Sequence, residues 1–231
     1  MKKQIPNIIT ALNLLCGLTA IFLSFQGLLI YAAMLMALGA FFDFFDGMAA
    51  RALNVKSEMG LQIDSLADMI SFGAAPGFIM FQLMTLSPNI PALMIGGYLI
   101  APFAAFLIPV LSAFRLAKFN VDSRQTDSFI GLPTPANSLF MGSLPFIISG
   151  TFAHQLDWLN NYYILLGLTV MFSILLVVEL PLMSLKFKSF RWQSNSKRYL
   201  LIGTSIILII LLQAAAFPVI IALYIILSFF N

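Results

Sequence analysis

Four aspartates, Asp43, Asp46, Asp64 and Asp68, stand in stretches that are otherwise apolar. The first two fall in Phe41-Phe-Asp43-Phe-Phe-Asp46-Gly47-Met-Ala-Ala50-Arg51, the second two in Gly60-Leu-Gln-Ile-Asp64-Ser-Leu-Ala-Asp68. Spaced three and four apart, the members of each pair share one face of a helix. Ionisable groups inside apolar spans are costly and usually functional. Asp43 lies eight residues before Arg51, and Asp68 eight residues after Gly60. A linker over 52–59 that returns the chain at the same level therefore sets Asp43 opposite Asp68 and Asp46 near Asp64. At 1.5 Å per residue, all four lie within roughly 6–12 Å of the helix ends, near one interface rather than at a membrane midplane.

Carboxylates that close do not all stay ionised in a low dielectric without counter-charge, which protons or divalent cations supply. With no His or Cys nearby, an all-oxygen donor set favours Mg²⁺ or Mn²⁺ over Zn²⁺. Two such ions cancel four negative charges and leave coordination positions for a pyrophosphate. Gly47 and Gly60 permit close backbone or ligand approach. Arg51, at the rim, is a bidentate phosphate donor by chemistry and an interfacial anchor by position.

The elements that must position these groups are membrane helices. Of 231 residues, 61% are hydrophobic and 9% charged, far from the quarter typical of soluble domains. The composition reads as one all-α polytopic membrane domain over 1–231. Apolar runs predict about eight transmembrane helices, near 8–25, 28–51, 60–84, 91–114, 133–153, 161–183, 199–214 and 217–230. The final pair, within 199–231, is divided only by Ala214-Ala-Ala-Phe-Pro218. Lys2 and Lys3 precede an apolar run with no small-x-small cleavage site, so a retained first helix is expected. The single Cys16 excludes an intramolecular disulfide and a thiolate metal site.

All 12 basic residues fall on one side of this arrangement: Lys2, Lys3, Arg51, Lys56, Arg115, Lys118, Arg124, Lys186, Lys188, Arg191, Lys197 and Arg198. The positive-inside rule then puts both termini in the cytoplasm, with the aspartates facing the same side. Trp158, Tyr162 and Tyr163 are expected in an aromatic belt at the outer edge. The basic residues flank spans rather than forming a basic surface, and no nucleic-acid partner is expected.

The pattern Asp-x2-Asp-Gly-x2-Ala-Arg-x8-Gly-x3-Asp-x3-Asp resembles, position for position, the signature of the CDP-alcohol phosphatidyltransferases, integral membrane enzymes of phospholipid synthesis. The resemblance implies that Asp43, Asp46 and Asp64 are metal ligands for two Mg²⁺ or Mn²⁺ ions. It makes Asp68 the general base and a further metal contact. Gly47, Ala50 and Arg51 would border the nucleotide and phosphates of a CDP-linked lipid, with Gly60 at the head of the third span. An acceptor alcohol would attack the lipid-side phosphorus and CMP would leave. The family is commonly homodimeric, and an inner-membrane location with a cytoplasmic active site follows.

Further segments are similar to the phosphatidylserine synthase branch: Pro6-Asn7-Ile-Ile-Thr10-Ala-Leu-Asn13-Leu-Leu-Cys16-Gly17, Arg115-Leu-Ala-Lys118-Phe-Asn120 and Gly131-Leu-Pro-Thr-Pro-Ala136. They imply CDP-diacylglycerol and L-serine as substrates. Arg115 would clamp the serine carboxylate, with Lys118 beside it where the branch commonly has Arg. Asn13 and Thr10 are candidates to reach the lipid pocket from the first span; an interhelical hydrogen bond is the other reading of Thr10. Glu179 has no assigned role beyond packing. Three readings stay open: serine transfer; the same chemistry with glycerol phosphate or an inositol phosphate as acceptor, or with an ether-lipid donor; and a cation or proton transporter. Transporters favour midplane sites within inverted repeats, which this chain does not display.

Overall fold

The computed structural model describes residues 4–55, 57–122, 129–150, 153–183 and 192–229. Helix α1, Gln4–Phe25, ends where Gly27 adopts φ +74°, a left-handed residue that closes the helix with Leu28 N–H on Leu23 O and Gly27 N–H on Ser24 O. The chain doubles back at once into α2, Leu29–Ala52. Ala20 and Ala32 are buried, and Gly39 of α2 lies against Asn13 and Cys16 of α1, so small residues let the two backbones approach.

The end of α2 is closed in the same way. Asn54, at φ +51°, takes the left-handed position, Val55 N–H reaches Ala50 O and Asn54 N–H reaches Arg51 O. Ser57 then caps the next helix, its Oγ accepting the Gly60 N–H at 2.9 Å. This compact reversal returns the chain at the level at which it left. Helix α3 runs over Glu58–Leu86 and contains a π-helical turn, Met69–Ala74, immediately after Asp68. That turn packs on α1 so closely that a Cβ on Gly17 would lie 2.8 Å from Ser71 Cα.

A two-stranded hairpin follows, β1 Met94–Ile95 paired with β2 Tyr98–Leu99 around Gly96-Gly97. It occupies the first part of the span predicted at 91–114. Helix α4, Ala101–Val121, begins as a 3₁₀ turn and runs seven residues beyond the predicted end, so Arg115 and Lys118 are helical. Strand β3, Phe129–Ile130, leads into α5, Thr134–Ser149, and α6 is Tyr162–Val177. Strand β4, Pro181–Leu182, pairs antiparallel with β3. Helix α7, Trp192–Leu212, is broken at Gln213, φ +52°, and α8, Ala216–Phe229, returns so that Tyr224 and Ser228 meet Met183.

The protein is an all-α membrane protein. Among the described residues, five stretches are long and apolar enough to cross a bilayer: α1, α2, α3, α4 and Asn195–Ser228, which includes the break at Gln213. The 16-residue α5 and α6 are shorter than a full span. Large apolar side chains such as Leu15, Phe22, Tyr31, Phe41 and Phe44 face outward, as lipid contact requires. Trp158 and Tyr163 are exposed, but Tyr162 is buried and donates to Ala101 O at 3.0 Å. Of the basic residues used to orient the chain, Lys2, Lys3, Lys56, Arg124, Lys186, Lys188 and Arg191 lie outside the described residues.

Candidate active site

The reversal between α2 and α3 brings the four aspartates together. Carboxylate oxygens of Asp43, Asp64 and Asp68 lie within 4.8 Å of one another. Asp43 and Asp68 meet across the helix pair, as the spacing predicts. Asp46 sits one turn nearer the helix end and is buried. Its Oδ2 accepts a 2.6 Å hydrogen bond from Thr10 Oγ1 of α1. Thr10 therefore takes the interhelical role that its position in the first span left open.

A second contact from α1 reaches the deep end of the group. Asn13 Nδ2 donates to Asp68 Oδ1 at 3.3 Å, and the Asn13 carbonyl accepts from Ser71 Oγ at 2.9 Å. Ser71 belongs to the π-turn, so α1 grips α3 on both sides of the point where its winding changes. π-Turns of this kind are frequent at functional sites. The first span had signalled polarity through Thr10 and Asn13; Ser71 carried no comparable signal.

Asp46 and Asp64 also line a cavity of about 530 Å³ with Pro6, Asn7, Thr10, Gly47, Ala50 and Gly60. Nothing lies within 4 Å of the point where a Gly47 Cβ would stand, so this glycine opens on space rather than on a packed neighbour. Asp64 belongs to both the cavity and the carboxylate group and joins them. Asn13, Asp43 and Asp68 lie outside the lining, deeper in the helix pair, and exposed Arg51 is past its edge in the last turn of α2.

Divalent cations fit these residues. The donors are all oxygen, and Asp64 Oδ1 is buried with no hydrogen-bond partner. Among the described residues no lysine or arginine pairs with any of the four carboxylates. A hard cation would supply the missing counter-charge.

Arg115 and Lys118 stand apart from this cavity. Asn120 Nδ2 bonds Ser65 Oγ at 2.8 Å, which ties the end of α4 to α3 between Asp64 and Asp68. Arg115 is 5% exposed, its Nε facing Leu132 O at 3.4 Å and its guanidinium 5.5 Å from the Phe119 ring. Among the described residues neither of its Nη nitrogens has a hydrogen-bond partner. Lys118 Nζ instead pairs with Glu179 at 2.5 Å, which gives the unassigned Glu179 a partner.

The sequence model of the family described as CDP-alcohol phosphatidyltransferase matches residues 3–184, which include every residue of the site. The chain belongs to the CDP-alcohol phosphatidyltransferase family. Within the family it is similar to proteins named CDP-diacylglycerol–serine O-phosphatidyltransferase. That of Bacillus subtilis is 36% identical over 150 residues, 65% of this chain and 77% of its own. One from Helicobacter pylori is 30% identical over 223 residues, 96% of this chain and 87% of its own. An archaeal relative of the same name, from Methanocaldococcus jannaschii, is 31% identical over 137 residues, 59% of this chain and 58% of its own. The aspartates of the signature, Asp43, Asp46, Asp64 and Asp68, are the residues this chain's fold gathers at the α2–α3 reversal.

Proposed function

We propose that the chain transfers the phosphatidyl group of CDP-diacylglycerol to the hydroxyl of L-serine, giving phosphatidylserine and CMP. The observation that carries this reading is the junction of a three-carboxylate group with a roomy cavity floored by Gly47. The names of the relatives supply the acceptor.

In this mechanism the CDP moiety lies along Gly47, Ala50 and Gly60, and Arg51 reaches its phosphates from the rim. Asp68 takes the proton of the serine hydroxyl. Asn13, with Ser71 behind it, holds the Asp68 carboxyl in place. The serine oxygen forms the new bond to the lipid-side phosphorus, the bond from that phosphorus to the bridging oxygen breaks, and CMP departs with the electron pair. Two Mg²⁺ or Mn²⁺ ions held by Asp43, Asp46, Asp64 and Asp68 would neutralise the pyrophosphate and stabilise the leaving group. Arg115 binds the serine carboxylate through its Nη nitrogens. Positioning and electrostatics are what phosphoryl-group chemistry chiefly requires.

The proposal includes the setting: a single domain with eight spans, both termini and the active site toward the cytoplasm, in the inner membrane, as a homodimer. α5 and α6 then cross as short helices extended by their flanking loops. Purified protein with CDP-diacylglycerol, Mn²⁺ and a panel of alcohols tests the reaction. CMP release with L-serine is expected. Release with glycerol phosphate or an inositol phosphate in its place would overturn the choice of acceptor.

A further inference from the structure

The family match ends at residue 184, yet α8 reaches back to the acceptor side of the protein. The Tyr224 hydroxyl donates to Met183 O at 3.0 Å, and the Met183 N–H donates to Ser228 Oγ at 3.0 Å. Ser228 Oγ in turn donates to Tyr224 O at 2.7 Å. Tyr224, Ser228 and Met183 are all buried. Two residues one helical turn apart thus hold both backbone groups of one residue, an uncommon investment for a helix with so little else that is polar.

Met183 directly follows β4, which pairs with β3. Strand β3 leads into Gly131, where φ is +80° and a Cβ would lie 2.8 Å from Leu176 O, and then into Leu132. The Gly131 N–H bonds Leu180 O and the Leu132 N–H bonds Leu175 O, so this crossing is clamped on both sides. The Leu132 carbonyl is the group that faces Arg115 Nε. One route therefore runs from α8 through the β3–β4 pair to Arg115.

We propose that Tyr224, supported by Ser228, is a positioning residue for Arg115, so that a helix beyond the family segment sets the affinity for the acceptor carboxylate. The inference rests on the reading of Arg115 as the carboxylate clamp. Tyr224 touches no reacting atom; by holding Met183 at the end of β4 it steadies the β3–β4 pair and the Leu132 carbonyl that faces the guanidinium, and leaves the Nη nitrogens for the ligand.

The test measures kcat, KM for L-serine and KM for CDP-diacylglycerol in the full-length wild type, Tyr224→Phe, Arg115→Lys and the double variant. Loss of the phenolic hydroxyl should raise KM for serine about fivefold, the size of one neutral hydrogen bond. The kcat at saturating serine and the KM for CDP-diacylglycerol should stay within about twofold, because neither Tyr224 nor Arg115 lines the donor cavity. The double variant should be no worse than Arg115→Lys alone, since the tyrosine acts through that arginine. Additive effects, an unchanged serine KM in Tyr224→Phe, or an equal rise in the KM for the donor would overturn the inference while leaving the clamp in place. A wild-type serine KM in Arg115→Lys would refute the clamp itself, and the inference with it.

Discussion

Replacing Thr10 with valine removes one hydroxyl from the site and keeps the shape of the side chain. Thr10 Oγ1 lies 2.6 Å from Asp46 Oδ2, and the two residues are 4% and 5% exposed, so water does not readily take over the bond. A hydrogen bond to a charged group contributes about 1.5–3 kcal/mol, equivalent to roughly 10- to 150-fold in an equilibrium constant. Groups that orient a metal-bound carboxylate typically change metal affinity by about 10–100-fold, a range that overlaps. Thr10→Val should therefore raise the Mn²⁺ concentration for half-maximal activity by at least about tenfold. Direct Mn²⁺ binding, read by the loss of the free-ion paramagnetic signal, should weaken in parallel. Thr10→Ser keeps the hydroxyl and should stay near wild type. A Thr10→Val protein with unchanged Mn²⁺ binding would show that Asp46 needs no support from α1, and would remove Asp46 from the ligand set.

Gly47→Ala should fold at least as well as wild type, because open space meets the new methyl and alanine favours a helix interior by about 1 kcal/mol. The methyl occupies the proposed donor cavity, so KM for CDP-diacylglycerol should rise about tenfold or more; an unchanged KM would move the donor elsewhere. Asp68→Asn should bind donor and metal yet lose about 10²–10⁴-fold in rate even at saturating Mn²⁺, whereas excess Mn²⁺ should partly restore Asp43→Asn. Rescue of Asp68→Asn by metal alone would make Asp68 a ligand like the others. Cysteines introduced at position 2 or 231 should resist an impermeant thiol reagent in intact cells, against the low background of buried Cys16. Labelling from outside would reverse the proposed topology.

Much of the site was legible because its determinants are local. Helical spacing within each aspartate pair, and a short reversal between the pairs, suffice to bring Asp43 to Asp68. The reversal itself is readable afterwards as an Asn54 helix end followed by a Ser57 cap. What escaped depends on contacts distant in sequence. The π-turn after Asp68 exists where Ser71 meets Asn13 across 58 residues, and no local pattern announces it. Lys118 and Glu179 are 61 residues apart, so neither could be assigned its partner. The β1–β2 hairpin was hidden inside an apolar run, where hydropathy outweighs the signal of Gly96-Gly97. Helix α4 passes Arg115 and Lys118 to Val121 because a charged, partly polar stretch remains helical when Asn120 is anchored on Ser65. Hydropathy marks where a chain leaves the bilayer, not where its helix stops.

The most direct measurement follows isotope from L-serine into lipid. Purified protein is given CDP-diacylglycerol and carbon-labelled L-serine, with Mn²⁺ or with chelator, and wild type is compared with Asp64→Asn. In wild type with Mn²⁺, label should enter a chloroform-soluble product in a one-to-one ratio with released CMP, and chelation or Asp64→Asn should abolish it. Label that stays in the aqueous phase while CMP is released, or transfer that persists in Asp64→Asn under chelation, would contradict metal-dependent phosphatidyl transfer to serine at this site.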